Sequence, residues 1–148
     1  MIMKKLLLLA ITLSLSISLS AQIKVIENNS TEIGKVSAGG KKFDWITVNK
    51  GNYSVFYRDE QYKQIDDYKH FSFSGEETFN YLYDLLKKQC EAPKKTELTI
   101  EVGDANITIT SYKHYISLSI LAEGQPNGFF RITSRQLDKL FGKKKKKK

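Results

Sequence analysis

The sequence is poor in the residues on which most chemistry is built. Its 148 residues include one cysteine, two histidines, two prolines and one tryptophan. With Cys90 alone, no internal disulfide can form, so the domain must hold by its core. Cys90 falls on a helical apolar stripe with no histidine near it in sequence. It reads as a small buried apolar residue rather than a catalytic thiol; an intermolecular disulfide is the other use open to it. Two histidines without a third convincing ligand do not complete a zinc centre. There is no Gly-rich phosphate loop, no G-x-S-x-G, no H-E-x-x-H and no C-x-x-C. The local signatures of nucleotide-binding, serine-hydrolase, zinc-protease and dithiol chemistry are therefore missing, and no cofactor is expected.

Charge of one sign is missing from the body as well. The formal charge is +8, from 24 Lys/Arg against 16 Asp/Glu. Two of the cations, Lys4 and Lys5, lie at the N-terminus, and six form the run Lys143 to Lys148. Residues 22–142 then carry 16 of each sign. A neutral body without a basic stripe excludes sequence-specific nucleic-acid recognition.

Only one long apolar run exists, Leu6 to Ile17, and it is too short for a stable membrane span. Lys4 and Lys5 precede it, and Leu19-Ser20-Ala21 offers small residues at a cleavage site. This is the pattern of a signal peptide over residues 1–21, with an uncleaved anchor as the alternative. The ending Ser20-Ala21-Gln22 resembles secretory signals of some Gram-negative bacteria. No cysteine sits beside it to accept a lipid. The expected location is periplasmic or secreted, with no transmembrane span after cleavage. Asn28, Asn29, Asn52 and Asn106 stand in N-x-Ser/Thr sequons, which a bacterial source would leave unused.

What is present is a strand-rich pattern. Residues 32–36 form a short strand, and Ala38 to Lys41 a turn. Residues 43–48 and 53–58 are aromatic and β-branched, joined at Asn49-Lys50-Gly51 as a hairpin. A two-residue loop pairs Val48 with Tyr53. A three-residue loop with Gly51 left-handed pairs Thr47 with Tyr53 and Trp45 with Val55. The second is preferred here because it gathers Phe43, Trp45, Tyr53, Val55 and Tyr57 on one face. Ile46, Val48 and Phe56 then lie on the other, so the hairpin is apolar on both sides. Tyr68 to Phe73 is a further strand. Ser74 and Glu77 form a capping box, and Phe79, Leu82, Tyr83, Leu86 and Cys90 recur at helical spacing. The helix is expected over 75–91.

Gly103-Asp104 is a primed two-residue turn. It dictates the apolar pairs Val102–Ala105, Ile100–Ile107 and Leu98–Ile109, with polar pairs on the opposite face. Residues 115–121 and 129–132 are strands. Thr133 and Gln136 make a second capping box, followed by a short helix that Gly142 ends. The expectation is an α+β domain over residues 22–142: one antiparallel β-sheet of meander hairpins, two helices packed on one face, order β-β-β-β-α-β-β-β-β-α. Residues 143–148 form a disordered, self-repelling lysine tail.

Three features are candidates for function. His70 and His114 occur in the matching settings Tyr68-Lys69-His70 and Tyr112-Lys113-His114. Brought together, they could serve as a base or metal ligands beside Asp66 or Asp67; the plainer reading is two surface histidines at strand starts. The acidic pairs Asp59-Glu60, Asp66-Asp67 and Glu76-Glu77 are accounted for by turns, surface solvation and a helix N-terminus. Trp45, Tyr53 and Tyr57 of the aromatic hairpin could form an exposed platform for a partner or sugar, unless residues 22–42 fold over it. Lys143, Lys144, Lys145, Lys146, Lys147 and Lys148 could hold the domain at an anionic surface in a salt-dependent way. The preferred reading is a non-catalytic binding module whose partner is an envelope protein or polysaccharide. The alternatives are a surface-associated protein held by its lysine tail, and a small extracytoplasmic hydrolase using His70 and His114.

Overall fold

The computed structural model describes residues 29–62 and 64–143. Residues 1–21, where a signal peptide is expected, and the lysines 144–148 lie outside the described residues. Among the described residues, eight strands and two helices follow the expected order. The strands are β1 (Thr31–Ala38), β2 (Lys41–Asn49), β3 (Asn52–Arg58) and β4 (Tyr68–Ser74), then β5 (Glu97–Val102), β6 (Ala105–Ser111), β7 (Tyr115–Ala122) and β8 (Gly128–Thr133). Helix α1 (Glu76–Cys90) separates the two sets, and α2 (Ser134–Leu140) follows the second. No helix among the described residues is long and apolar enough to cross a membrane.

The α+β class holds, but the strands form two antiparallel sheets of four, β1-β2-β3-β4 and β5-β6-β7-β8, rather than one. The reason lies at the β4 edge. Among the described residues no strand pairs with it; Gln125 and Asp104 do. The His70 N–H donates to Gln125 Oε1 (3.1 Å), and Gln125 Nε2 donates to the His70 carbonyl (2.8 Å). Two residues on, the Ser72 N–H donates to Asp104 Oδ1 (2.9 Å), and the Asp104 N–H donates to the Ser72 carbonyl (3.2 Å). The outward donors and acceptors of an edge strand are thereby satisfied without another strand. Both helices bridge the sheets, α1 on β4, β6 and β7, and α2 on β1, β2 and β8. The buried apolar residues form one cluster.

The hairpin β5–β6 has the expected register throughout, because the turn geometry fixes it. The hairpin β2–β3 does not. Both Lys50 (φ 48°) and Gly51 (φ 77°) are left-handed, so the loop has two residues and Val48 pairs with Tyr53, Ile46 with Val55 and Trp45 with Phe56. The shift sends Ile46, Tyr53, Val55 and Tyr57 into the core and leaves Trp45 and Phe56 outside. Helix α1 buries Phe79, Leu82, Leu86 and Cys90, as its spacing predicts. Its capping box does not form. Gly75 is the N-cap, and the Ser74 hydroxyl donates to Asn52 Oδ1 (2.6 Å) instead. The box at Thr133 and Gln136 is complete.

The sheets are also joined through a buried charge. Asp59 is 0 % and Lys69 6 % exposed, so Asp59 is not the solvated turn residue that its position beside Glu60 suggests. Asp59 Oδ1 accepts from the N–H groups of Gln61 and Phe129, both at 3.1 Å. Asp59 Oδ2 accepts from the Lys69 ammonium, which also donates to the Asn127 carbonyl (3.1 Å) and reaches Asp67 Oδ2 (3.5 Å). Burial pushes Lys69 down, but the hydrogen bond and charge of Asp59, then of Asp67, more than offset it and hold the ammonium above its ordinary pKa. Beside this cluster the Tyr57 ring presses on Gly128. A Cβ there would stand 2.0 Å from Tyr57 Oη.

Two stability predictions follow from this junction. Lys69→Met leaves the Asp59 carboxylate buried and unpaired, and costs about 3–5 kcal/mol in chemical denaturation; Asp59→Leu with Lys69→Met together recovers much of that loss. Gly128→Ala, which must displace the Tyr57 ring, costs roughly 2 kcal/mol or more and lowers the melting temperature.

Candidate functional site

The two sheets differ in the faces they turn outward. In the second sheet that face carries Glu97, Thr99 and Glu101 of β5, cross-strand from Asn106, Thr108 and Thr110 of β6, and then Leu121 and Tyr115 of β7 and Phe129 of β8 set among Ser117, Ser119 and Arg131. In the first it carries aromatic rings. Strand alternation places Phe43 and Trp45 of β2, Phe56 of β3, and Tyr68 and His70 of β4 on this face, in registry across the three strands. Tyr68 and His70 are exposed; Phe43, Trp45 and Phe56 are half-buried.

The rings form a ladder across the strands. The Trp45 and Phe56 planes lie 7° apart with centroids at 4.9 Å, which is face-to-face overlap. Phe56 continues to His70 at 5.5 Å, and Tyr68 leans on Trp45 at 5.6 Å. The Lys42 ammonium stands 4.5 Å from the Trp45 ring centre, and the Arg58 guanidinium 4.3 Å from that of Phe43. The Tyr68 hydroxyl donates to the Lys42 carbonyl at 3.0 Å. Faces are thus occupied by neighbouring rings and cations. Beside the ladder lies a shallow groove of about 470 Å³, lined by Ser30, Trp45, Thr47, Asn49, Asn52, Ser54 and Phe56.

The candidates named from sequence separate. Trp45 is in the ladder. Tyr53 (8 % exposed) and Tyr57 (1 %) are core residues and belong to no platform, a direct result of the two-residue loop. The segment 31–38 does not fold over the hairpin; it pairs beside β2 as the edge strand. His70 lies on the ladder face, and its backbone is held by Gln125, just past the end of β7. His114 stands before the start of β7. The length of that strand, on the order of 20 Å, lies between them, so the two histidines are not brought together. No three His, Cys, Asp or Glu converge as metal ligands among the described residues. Lys143 is fastened to the body rather than part of a free tail: its N–H donates to the Asp138 carbonyl at 2.8 Å, and its ammonium lies 5.1 Å from the Tyr83 ring centre. Phe43, Tyr68, Lys42 and Arg58 were not singled out from sequence; the two-residue register would have grouped Phe56 with Trp45.

Burial also perturbs Cys90 and Asp44. The Cys90 thiol is pushed up to about 11, chiefly by desolvation. Asp44, buried on β2, is raised to about 7, chiefly by desolvation, against a single hydrogen bond from the Arg58 N–H (3.3 Å).

Comparison with family models, with curated proteins and with solved structures gives no match to this chain. The surface is therefore interpreted from its own geometry.

The Asp44 shift has a sign that can be measured. Its folded value lies above the ordinary 3.8, so the folded chain holds a proton that the unfolded chain releases. The stabilisation is full below about pH 4 and is lost as pH rises through about 7. Asp44→Asn has no such loss. Denaturation midpoints of the two proteins should agree near pH 4 and diverge by a few kcal/mol in the variant's favour by about pH 8; parallel curves would refute the assignment. Cys90 should resist thiol reagents until the chain unfolds.

Proposed function

We propose that this protein is a small non-catalytic interaction module of the periplasm or extracellular space, and that a partner protein docks on the aromatic face of the β1–β4 sheet. The contrast between the two outer faces carries this reading. The outer face of β5 and β6 is polar throughout, and on β7 and β8 the residues Tyr115, Leu121 and Phe129 are interspersed with Ser117, Ser119 and Arg131. The first sheet instead places tryptophan, tyrosine, phenylalanine and arginine together, the composition enriched at the centres of protein interfaces.

The ladder geometry favours a protein over a polysaccharide. Sugar recognition on an aromatic platform uses an open ring face. Trp45 has Phe56 against one face and the Lys42 ammonium 4.5 Å from its ring centre. What remains is ring edges beside the hydroxyl and amide groups of Thr47, Ser54, Asn49 and Asn52. Edges and hydrogen-bonding groups suit backbone and side chains of a protein surface. The leader supports the compartment, since its short apolar run follows two lysines.

The test compares three forms of the chain as bait in envelope extract: wild type, Trp45→Ser with Phe56→Ser, and Thr99→Lys with Thr108→Lys on the other sheet. A protein retained by the first and third forms and lost from the second, then rebinding when purified, is the expected result. Loss of at least tenfold in affinity corresponds to removal of two central aromatic contacts. Equal binding by all three forms, or capture of polysaccharide alone, would overturn the assignment.

A further inference from the structure

A second surface, formed by β1 and α2, has a different chemistry. Between them lies a groove of about 680 Å³ lined by Ile33, Gly34, Lys35, Arg135, Lys139 and Lys143 together with Glu32 and Asp138. Ile33 is its one large apolar side chain, flanked by Gly34 and Gly142; the other lining residues are charged. Its acidic groups are already engaged. Glu32 accepts from the Lys42 ammonium at 2.7 Å and lies 3.6 Å from that of Lys35. Asp138 Oδ1 accepts from the Tyr83 hydroxyl at 2.8 Å and from Lys87 at 2.7 Å. Arg135 and Lys139 are exposed, one helical turn apart on α2, and form no ion pair among the described residues. Lys143 lines the same groove, and five further lysines follow it in the chain.

We infer that this groove is a docking site for an anionic phospholipid, with Arg135 and Lys139 on the headgroup phosphate and the apolar wall at Ile33 against the first part of an acyl chain. Charge complementarity selects the anion. Arg135 and Lys139 form no ion pair among the described residues, Lys143 lines the same groove, and five further lysines follow it in the sequence. Ile33 beside these cations selects the amphiphile, because an apolar side chain offers nothing to a nucleic acid or other purely ionic polymer. A volume of several hundred Å³ takes a headgroup and proximal chain rather than a whole lipid, so the remaining chain stays in the bilayer. The lysines then extend a specific contact made by the folded body, and do not replace it.

The test uses the full chain and a soluble monomeric probe, dihexanoyl-phosphatidylglycerol, with dihexanoyl-phosphatidylcholine and glycerol phosphate as comparators, followed by titration calorimetry. The phosphatidylglycerol should bind at least about tenfold tighter than either comparator. Arg135→Glu with Lys139→Glu should erase that preference, and a stop codon after Lys143 should leave it in place. Both side chains are exposed, and Arg135→Gln with Lys139→Gln serves if the reversed charges impair folding. Five results would each overturn the inference. Equal binding of phosphatidylcholine removes the anion requirement, and equal binding of glycerol phosphate makes it a bare phosphate site. Retained preference in the α2 variants, or its loss on removing residues 144–148 alone, assigns the effect to the tail. Displacement of the lipid by a DNA oligonucleotide at equal phosphate concentration marks a polyanion site.

Discussion

The fold depends on a carboxylate that has been taken out of water. Asp59 follows the last residue of β3 and is fully buried. Burying a charge costs several kcal/mol unless it is paired and hydrogen-bonded. Here both oxygens are used, one by two backbone N–H groups and the other by Lys69. The partners come from three places: the loop after β3, the inner face of β4, and the entry to β8. The Phe129 N–H and the Asn127 carbonyl belong to the second sheet's side of the molecule. The pair can be satisfied only when both sheets are in place. It therefore fixes how the halves meet, in addition to whatever stability it contributes.

That constraint explains why eight strands make two sheets. β4 could have continued into a larger sheet by pairing with a second-half strand. Its outward peptide groups are instead taken by the side chain of Gln125 and by the carboxylate and backbone N–H of Asp104. A side-chain amide, or a carboxylate together with its own backbone N–H, reproduces two hydrogen bonds of a strand without imposing a strand's direction. The second sheet can then lie at the angle that Asp59 and Lys69 require, with α1 and α2 spanning both. An exposed edge is removed at the same time.

Sequence reading succeeded where local physics decides. The Gly103-Asp104 turn dictated six pairings, and all six are present. The stripe from Phe79 to Cys90 defined α1, and Thr133 with Gln136 defined the start of α2. It failed where distant groups compete. Ser74 has the right neighbour at Glu77 for a capping box, yet Asn52, brought alongside by β3, takes its hydroxyl. In β2–β3 both loop lengths give apolar faces, so hydrophobic pattern could not choose between them. The choice rested on the backbone of Lys50, a non-glycine residue at positive φ, which its identity does not announce. That one residue moved Tyr53 and Tyr57 into the core and put Phe56 beside Trp45. Asp59 was read as a solvated turn residue because its partner stands ten positions away with nothing in the spacing to mark it.

The same register gives the aromatic face its character. A one-residue slip inverts both faces of a hairpin. In the observed register the inner face receives aliphatic residues and tyrosines that fill the core. The outer face receives Trp45 and Phe56 as a directly opposed pair, and β4 adds Tyr68 and His70 in step. Cross-strand pairing alone accounts for part of this, since such contacts stabilise a sheet by about 0.2–1 kcal/mol each. It does not account for the cations. Lys42 and Arg58 lie over rings at the margins of the ladder, which holds long side chains in fixed positions on an exposed surface. Ordering such side chains is ordinarily a cost of association, about 0.5–1.5 kcal/mol for each. In this sheet that cost is met within the folded domain, and an interface formed on it begins from a surface already arranged.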